Sequence, residues 1–181
     1  GSGGAILVLG FGAVNLAGTT LSANRAAMNG GAVCFSANAV QMTDCSFLNN
    51  HSGADGGATY AGTGSVKIAD CSFLENEGIR NGGAIYNAGI CAIAKTPIRN
   101  NSAQNGGGAY SEGQISLQAL TVSSNRAFAA FGGAVFNSGD LVIADSTIFG
   151  NSCLASTVTF GGVAGLGGGI FSQAGTVAIT N

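Results

Sequence analysis

The reactive side chains of this 181-residue chain are few: eight Asp and Glu, one His and five Cys, against six Lys and Arg. Asp44, Asp70 and Asp145 stand at equivalent points of a recurring pattern, each three residues before an apolar position, with Lys95 at a fourth such point. Carboxylates brought together from adjacent repeats could hold a cation or divide acid and base roles, as in polysaccharide lyases and hydrolases. The contexts Asp-Cys-Ser and Asp-Ser-Thr read more simply as corners where Asp caps backbone amides. No His or Arg accompanies these acids, and a catalytic centre needs positioned partners, so the corner is the favoured reading.

His51 falls in a polar, variable position shared with Arg25, Glu77, Ser102, Arg126 and Ser152, which reads as a solvated edge. No nucleophile and orienting acid accompany it, and one His with scattered carboxylates is poor zinc chemistry. Calcium-binding β-rolls place Asp after a Gly-rich turn; the glycine doublets here are followed by Ala. The expectation is a chain with no catalytic, cofactor or metal site.

The cysteines are Cys34, Cys45, Cys71, Cys91 and Cys153, with no Cys-x-x-Cys. Cys45 and Cys71 share a position in adjacent repeats, which would set their Cα atoms ~5 Å apart, within disulfide range. A bridge and a stacked pair of free thiols are both open. Cys91 takes an apolar position and reads as core, and the odd total leaves at least one thiol unpaired or bonded to another chain. Two glycosylation sequons occur, Asn50-His51-Ser52 and Asn100-Asn101-Ser102. Asn50 falls at a position expected to face inward, so Asn100 is the better acceptor.

What must position these residues is a repeat. Charged residues are only 8% of the chain and 32 residues are Gly. Such a composition excludes a charged disordered tail and the basic stripe of a nucleic-acid binder. The uncharged stretches Gly1 to Asn24 and Ser146 to Asn181 are broken by Gly, Ser, Thr and Asn, so neither is a membrane span. A Gly-Gly doublet with a small residue after it recurs at Gly3, Gly30, Gly56, Gly82, Gly107, Gly132 and Gly167, spaced 27, 26, 26, 25, 25 and 35 residues. Between the doublets stands an apolar residue, two others, then Asn: Leu21…Asn24, Phe47…Asn50, Phe73…Asn76, Ile98…Asn101, Val122…Asn125 and Ile148…Asn151.

Five residues before each apolar position lie Leu16, Met42, Ile68, Ile93, Leu117 and Ile143; seven before lie Val14, Val40, Val66, Cys91, Ile115 and Leu141. Apolar residues two apart mark strands. Twelve before each Asn stand Gly12, Asn38, Gly64, Gly89, Gly113 and Gly139, turn residues tolerant of positive φ. A unit of about 25 residues with three short strands cannot bury its own apolar face, whereas stacked copies can. The predicted fold is all-β: a right-handed parallel β-helix of six to seven rungs, about 30–35 Å long at the strand spacing. Asn24, Asn50, Asn76, Asn101, Asn125 and Asn151 are expected to form an amide ladder along its axis.

The pairing of these glycine doublets with apolar-x-x-Asn resembles the passenger repeats of the chlamydial polymorphic outer membrane proteins and similar bacterial surface proteins, across Gly3 to Ile170. Phe holds the motif position at Phe47 and Phe73. The resemblance implies an extracellular, surface-displayed β-helix, often adhesive.

Residues 1–181 are expected to form a single domain, a piece of a longer surface protein, with an inserted loop at 153–166 in the last rung. That loop is uncharged and carries Leu154, Val158, Phe160, Val163 and Leu166, candidates for contact with a partner. The outward strand positions Asn15, Gln41, Lys67, Ala92, Ser116, Val142 and Ala178 are too irregular for an ice-binding face. Three functions follow: a non-catalytic adhesin passenger or rigid scaffold, a self-assembling filament subunit, and a pectate-lyase-like enzyme, the first being favoured. The expected partners are a protein or glycan on a host or neighbouring cell, or copies of the chain end to end, with no nucleic acid.

Overall fold

A computed structural model describes residues 1–10, 12–36, 39–129, 131–154 and 167–181. Its strands form four parallel sheets, two of seven strands and two of six, and every sheet pairs each strand with its copy from the next repeat. One rung visits them in turn, for example Thr59–Ala61, Ser65–Ala69, Ser72–Leu74 and Glu77–Gly78. The rungs stack as a parallel β-solenoid of six turns with a partial seventh, about one turn per 26 residues. The fourth strand was not expected: it is only two residues long, too short for alternation to reveal.

Register follows the apolar columns. Val40, Val66, Cys91, Ile115 and Leu141 are Cα partners in succession, as are Met42, Ile68, Ile93, Leu117 and Ile143. All face a core completed by Leu21, Phe47, Phe73, Ile98 and Val122 from the third sheet and Val33, Ile85 and Val135 from the first. Phe47 and Phe73 stack with centroids 4.6 Å apart and planes 2° from parallel. Stacking like on like lets each buried side chain fill the same space in every rung, so no layer needs its own jigsaw.

Three corners per rung are left-handed. One column is Gly18, Asp44, Asp70, Lys95, Ala119 and Asp145; the second is Ala23, Asn49, Glu75, Asn100, Ser124 and Gly150; the third is the first glycine of each doublet. At the doublets the two glycines have different reasons. Gly56 has φ +67°, which a side chain resists; at Gly57 a Cβ would lie 2.5 Å from the carbonyl carbon of Glu77 and 2.6 Å from its nitrogen. Two readings of the glycines are corrected. In the fifth doublet the left-handed residue is Gly106, not Gly107, so Ala109 takes the strand position of Ile85 and Val135. Gly89, Gly113 and Gly139 are required by crowding rather than by positive φ: a Cβ at each would strike the backbone of the preceding rung. Asn38 lies outside the described residues.

Candidate functional site

The asparagines make the longest polar column. Each side-chain NH2 donates to the Oδ1 of the next: Asn24 to Asn50 (2.9 Å), then Asn76, Asn101 and Asn125 at 3.0 Å per step, and Asn125 to Asn151 at 2.9 Å. The same Oδ1 accepts the backbone N–H of the preceding asparagine at 2.8–3.0 Å. The second amide hydrogen goes to the carbonyl of the motif apolar residue one rung back: Leu21, Phe47, Phe73, Ile98 or Val122. The apolar-x-x-Asn spacing is thus the reach of an asparagine to the strand end beneath it. Asn50, Asn76, Asn101 and Asn125 are at most 1% exposed, so their donors and acceptors need these partners.

A second ladder escaped the sequence reading and runs the other way. Asn105 Nδ2 donates to Asn81 Oδ1, Asn81 Nδ2 to Asp55 Oδ1 (each 3.0 Å), and the Asp55 N–H to Asn29 Oδ1 at 3.3 Å. Arg80 closes it with a 2.7 Å ion pair to Asp55. Phe131 takes the next position, bringing a ring where an amide would donate, and Asn105 Oδ1 is left without a partner. The residue before each first glycine was the available signal. Inside the first sheet, Asn87 donates to Ser111 Oγ and Asn137 to Ser172 Oγ.

The cysteine pair belongs to a third column: Thr19, Cys45, Cys71, Thr96, Leu120 and Ser146. Each hydroxyl or thiol donates to the carbonyl two residues before it, as Thr96 does to Ala94, Cys71 to Ala69 and Cys45 to Thr43. Three of them accept a backbone N–H from the rung before: Cys45 N–H donates to Cys71 Sγ at 3.3 Å, Cys71 N–H to Thr96 Oγ1 at 3.2 Å and Leu120 N–H to Ser146 Oγ at 3.0 Å. Cys45 and Cys71 are therefore stacked, buried free thiols filling a serine-like role, without the bridge left open from sequence. Burial pushes the Cys71 thiol up to about 11 and Cys91, in the core, to about 12.

The corner acids also differ from expectation. Asp44, Asp70 and Asp145 are exposed at positive φ, and at two of these corners the following residue accepts the amide, Cys71 from Cys45 N–H and Ser146 from Leu120 N–H, rather than a carboxylate. Asp tolerates this conformation better than most side chains. His51 Nδ1 meets Glu77 Oε2 at 3.2 Å, on the outward side of the two-residue strands. Asn100 is exposed at a left-handed corner, while the amide of Asn50 is fully engaged in the ladder.

Two outward features remain. Cys34, Tyr60, Tyr86, Tyr110, Phe136 and Phe171 pair in succession on the outside of the first sheet. Ile79, Phe128 and Leu154 are exposed on equivalent positions after the fourth sheet, and Arg126 sits 4.9 Å above the Phe128 ring. Of the inserted segment only Cys153 and Leu154 are described; Val158, Phe160, Val163 and Leu166 lie outside the described residues.

These columns define a protein class: a parallel β-solenoid with an apolar core and a buried column of stacked amides. The Chlamydia polymorphic membrane protein (Chlamydia_PMP) repeat matches residues 44–62 and 70–88, each running from a left-handed corner acid through the asparagine and the glycine doublet into the first sheet. These two stretches are thus similar to polymorphic membrane protein repeats. No curated protein and no solved structure matches it significantly.

Proposed function

We propose that this chain is a non-catalytic, extracellular β-helix displayed on a cell surface, acting as an adhesin passenger or rigid scaffold. The polymorphic membrane protein repeat carries this reading. The physical support is the uninterrupted amide ladder, which ties six rungs into one stiff body able to hold a contact surface away from its anchor. The exposed Ile79, Phe128 and Leu154 column, beside Arg126, is the surface offered to a protein or glycan partner. An antibody to the chain is expected to label intact cells of the producing organism, and beads coated with the chain to attach to host or neighbouring cells. Labelling only after permeabilisation refutes display; attachment no better than that of albumin-coated beads refutes adhesion. Fibres with a fixed axial repeat in electron microscopy would instead favour a filament subunit. Cleavage of acidic polysaccharides lost on Asp44→Ala or Asp70→Ala would favour an enzyme.

A further inference from the structure

The outward aromatic column has a geometry with chemical consequences of its own. Tyr60 and Tyr86 stack with centroids 4.7 Å apart and planes 5° from parallel; Tyr86 and Tyr110 follow at 5.5 Å and 5°. Strand register holds them there, each tyrosine being the Cα partner of the next. Phe136 continues the stack at 4.4 Å from Tyr110, so the tyrosines are bounded on that side by a ring that cannot form a phenoxyl radical. The chain has three tyrosines, and all three are in this column.

We propose that Tyr60 and Tyr86 form an oxidative cross-linking site, joined as dityrosine by a peroxide-driven one-electron oxidant to weld adjacent rungs. Each phenol gives one electron to the oxidant and its O–H proton to a base or water, leaving a phenoxyl radical. The radicals couple between ring carbons ortho to oxygen, forming one C–C bond. The hydrogen on each of those carbons then moves to its own phenoxyl oxygen, restoring both aromatic rings and both hydroxyls. Two tyrosines and one hydrogen peroxide thus give one dityrosine and two waters.

Several features favour coupling within the chain. A radical on one ring has its partner ring already in van der Waals contact, whereas tyrosines of separate molecules must first collide. Tyr86 is 7% exposed, so an oxidant reaches it through its half-buried neighbours rather than directly. Burial, with the nearby Glu112 carboxylate, holds the Tyr86 phenol well above the ordinary range, so oxidation proceeds from the neutral group. Cross-linking would close a chain loop of 26 residues and hold two rungs in register.

The test treats the purified chain with hydrogen peroxide and a haem peroxidase. Gel-separated monomer is examined for dityrosine fluorescence and mapped by peptide mass spectrometry. Fluorescent monomer is expected, with the Tyr60 and Tyr86 peptides joined at a mass two hydrogens below their sum and a melting temperature above that of untreated protein. Tyr86→Phe keeps the ring stack and should abolish monomer dityrosine; Tyr110→Phe should leave it, and Tyr60→Phe should leave only the weaker Tyr86–Tyr110 product. Dityrosine confined to dimers, none in the wild-type monomer, or its persistence in Tyr86→Phe overturns the proposal. Peptide mapping of the wild type decides the matter even if a variant folds poorly.

Discussion

Replacing Asn76 by Ala tests the amide ladder at its centre. The side chain is 1% exposed and makes four contacts: its NH2 donates to Phe47 O and Asn101 Oδ1, and its Oδ1 accepts from the backbone N–H and the amide of Asn50, each at 3.0 Å. The Asn50 amide keeps Leu21 O, and Asn101 Oδ1 keeps the Asn76 backbone N–H at 2.8 Å. The losses fall on the Asn50 backbone N–H and on the bond to the Phe47 carbonyl. At ~1–3 kcal/mol per stranded group, Asn76→Ala should cost about 4 kcal/mol. Urea unfolding followed by circular dichroism would read this as a midpoint ~1.5–2 M lower, at a slope of ~2–2.5 kcal/mol per M. Asn24→Ala, at the half-buried end of the ladder, should cost only ~1 kcal/mol, because Asn50 Oδ1 retains the Asn24 backbone N–H.

Asn76→Asp sharpens the test through pH. A carboxylate there sets acceptor against acceptor at Phe47 O and Asn101 Oδ1; a protonated carboxyl can donate to one of them. The folded state therefore raises its pKa, the native protein holds more protons than the unfolded chain, and stability falls as pH rises. The fall should begin near the unfolded value of ~4 and continue to the raised folded value. If Asn76→Ala costs no more than Asn24→Ala, or if Asn76→Asp gains stability with rising pH, the ladder does not carry the load assigned to it.

Four further outcomes are expected. Gly57→Ala puts a methyl 2.5 Å from Glu77 backbone and should destabilise by ~4 kcal/mol or prevent folding; Gly12→Ala, with nothing within 4 Å and no positive φ, should be neutral or stabilise by ~0.4–1 kcal/mol in thermal melts. Cys71→Ser should be tolerated because a hydroxyl fills that position at Thr96, whereas Cys71→Ala strands the Cys45 N–H and should cost ~1–3 kcal/mol in urea unfolding. With the Cys71 thiol raised from 9.0 to about 11, Cys71 in the native protein should react slowly with thiol reagents; stability should decline with pH between those values, since the unfolded chain ionises first. Phe73→Ala removes a fully buried ring stacked on Phe47 and should cost ~3–5 kcal/mol in thermal or urea unfolding.

Much of this was legible in sequence because a solenoid writes its tertiary contacts as a period. Val66 meets Val40, and Asn76 meets Asn50 and Asn101, because each contact joins equivalent positions of neighbouring repeats. A position filled by one kind of residue rung after rung is itself the record of a contact. The limits came where the same place is held by different chemistry. Cys45 and Cys71 left a bridge and free thiols both open, because their column mates Thr96 and Ser146 share no resemblance with Cys except a donor at the γ position.

The sequence alone determined the coil, its inward apolar columns and the asparagine column, since those depend on side-chain type and on a spacing the chain prints directly. Only the tertiary structure decided the fourth sheet, the counter-running ladder through Asp55 and Arg80, the register of Gly106, and the crowding at Gly89, Gly113 and Gly139. The reason is that these depend on where backbone atoms of one rung lie against those of the next. Such distances arise from how each corner turns, which residue types constrain only loosely.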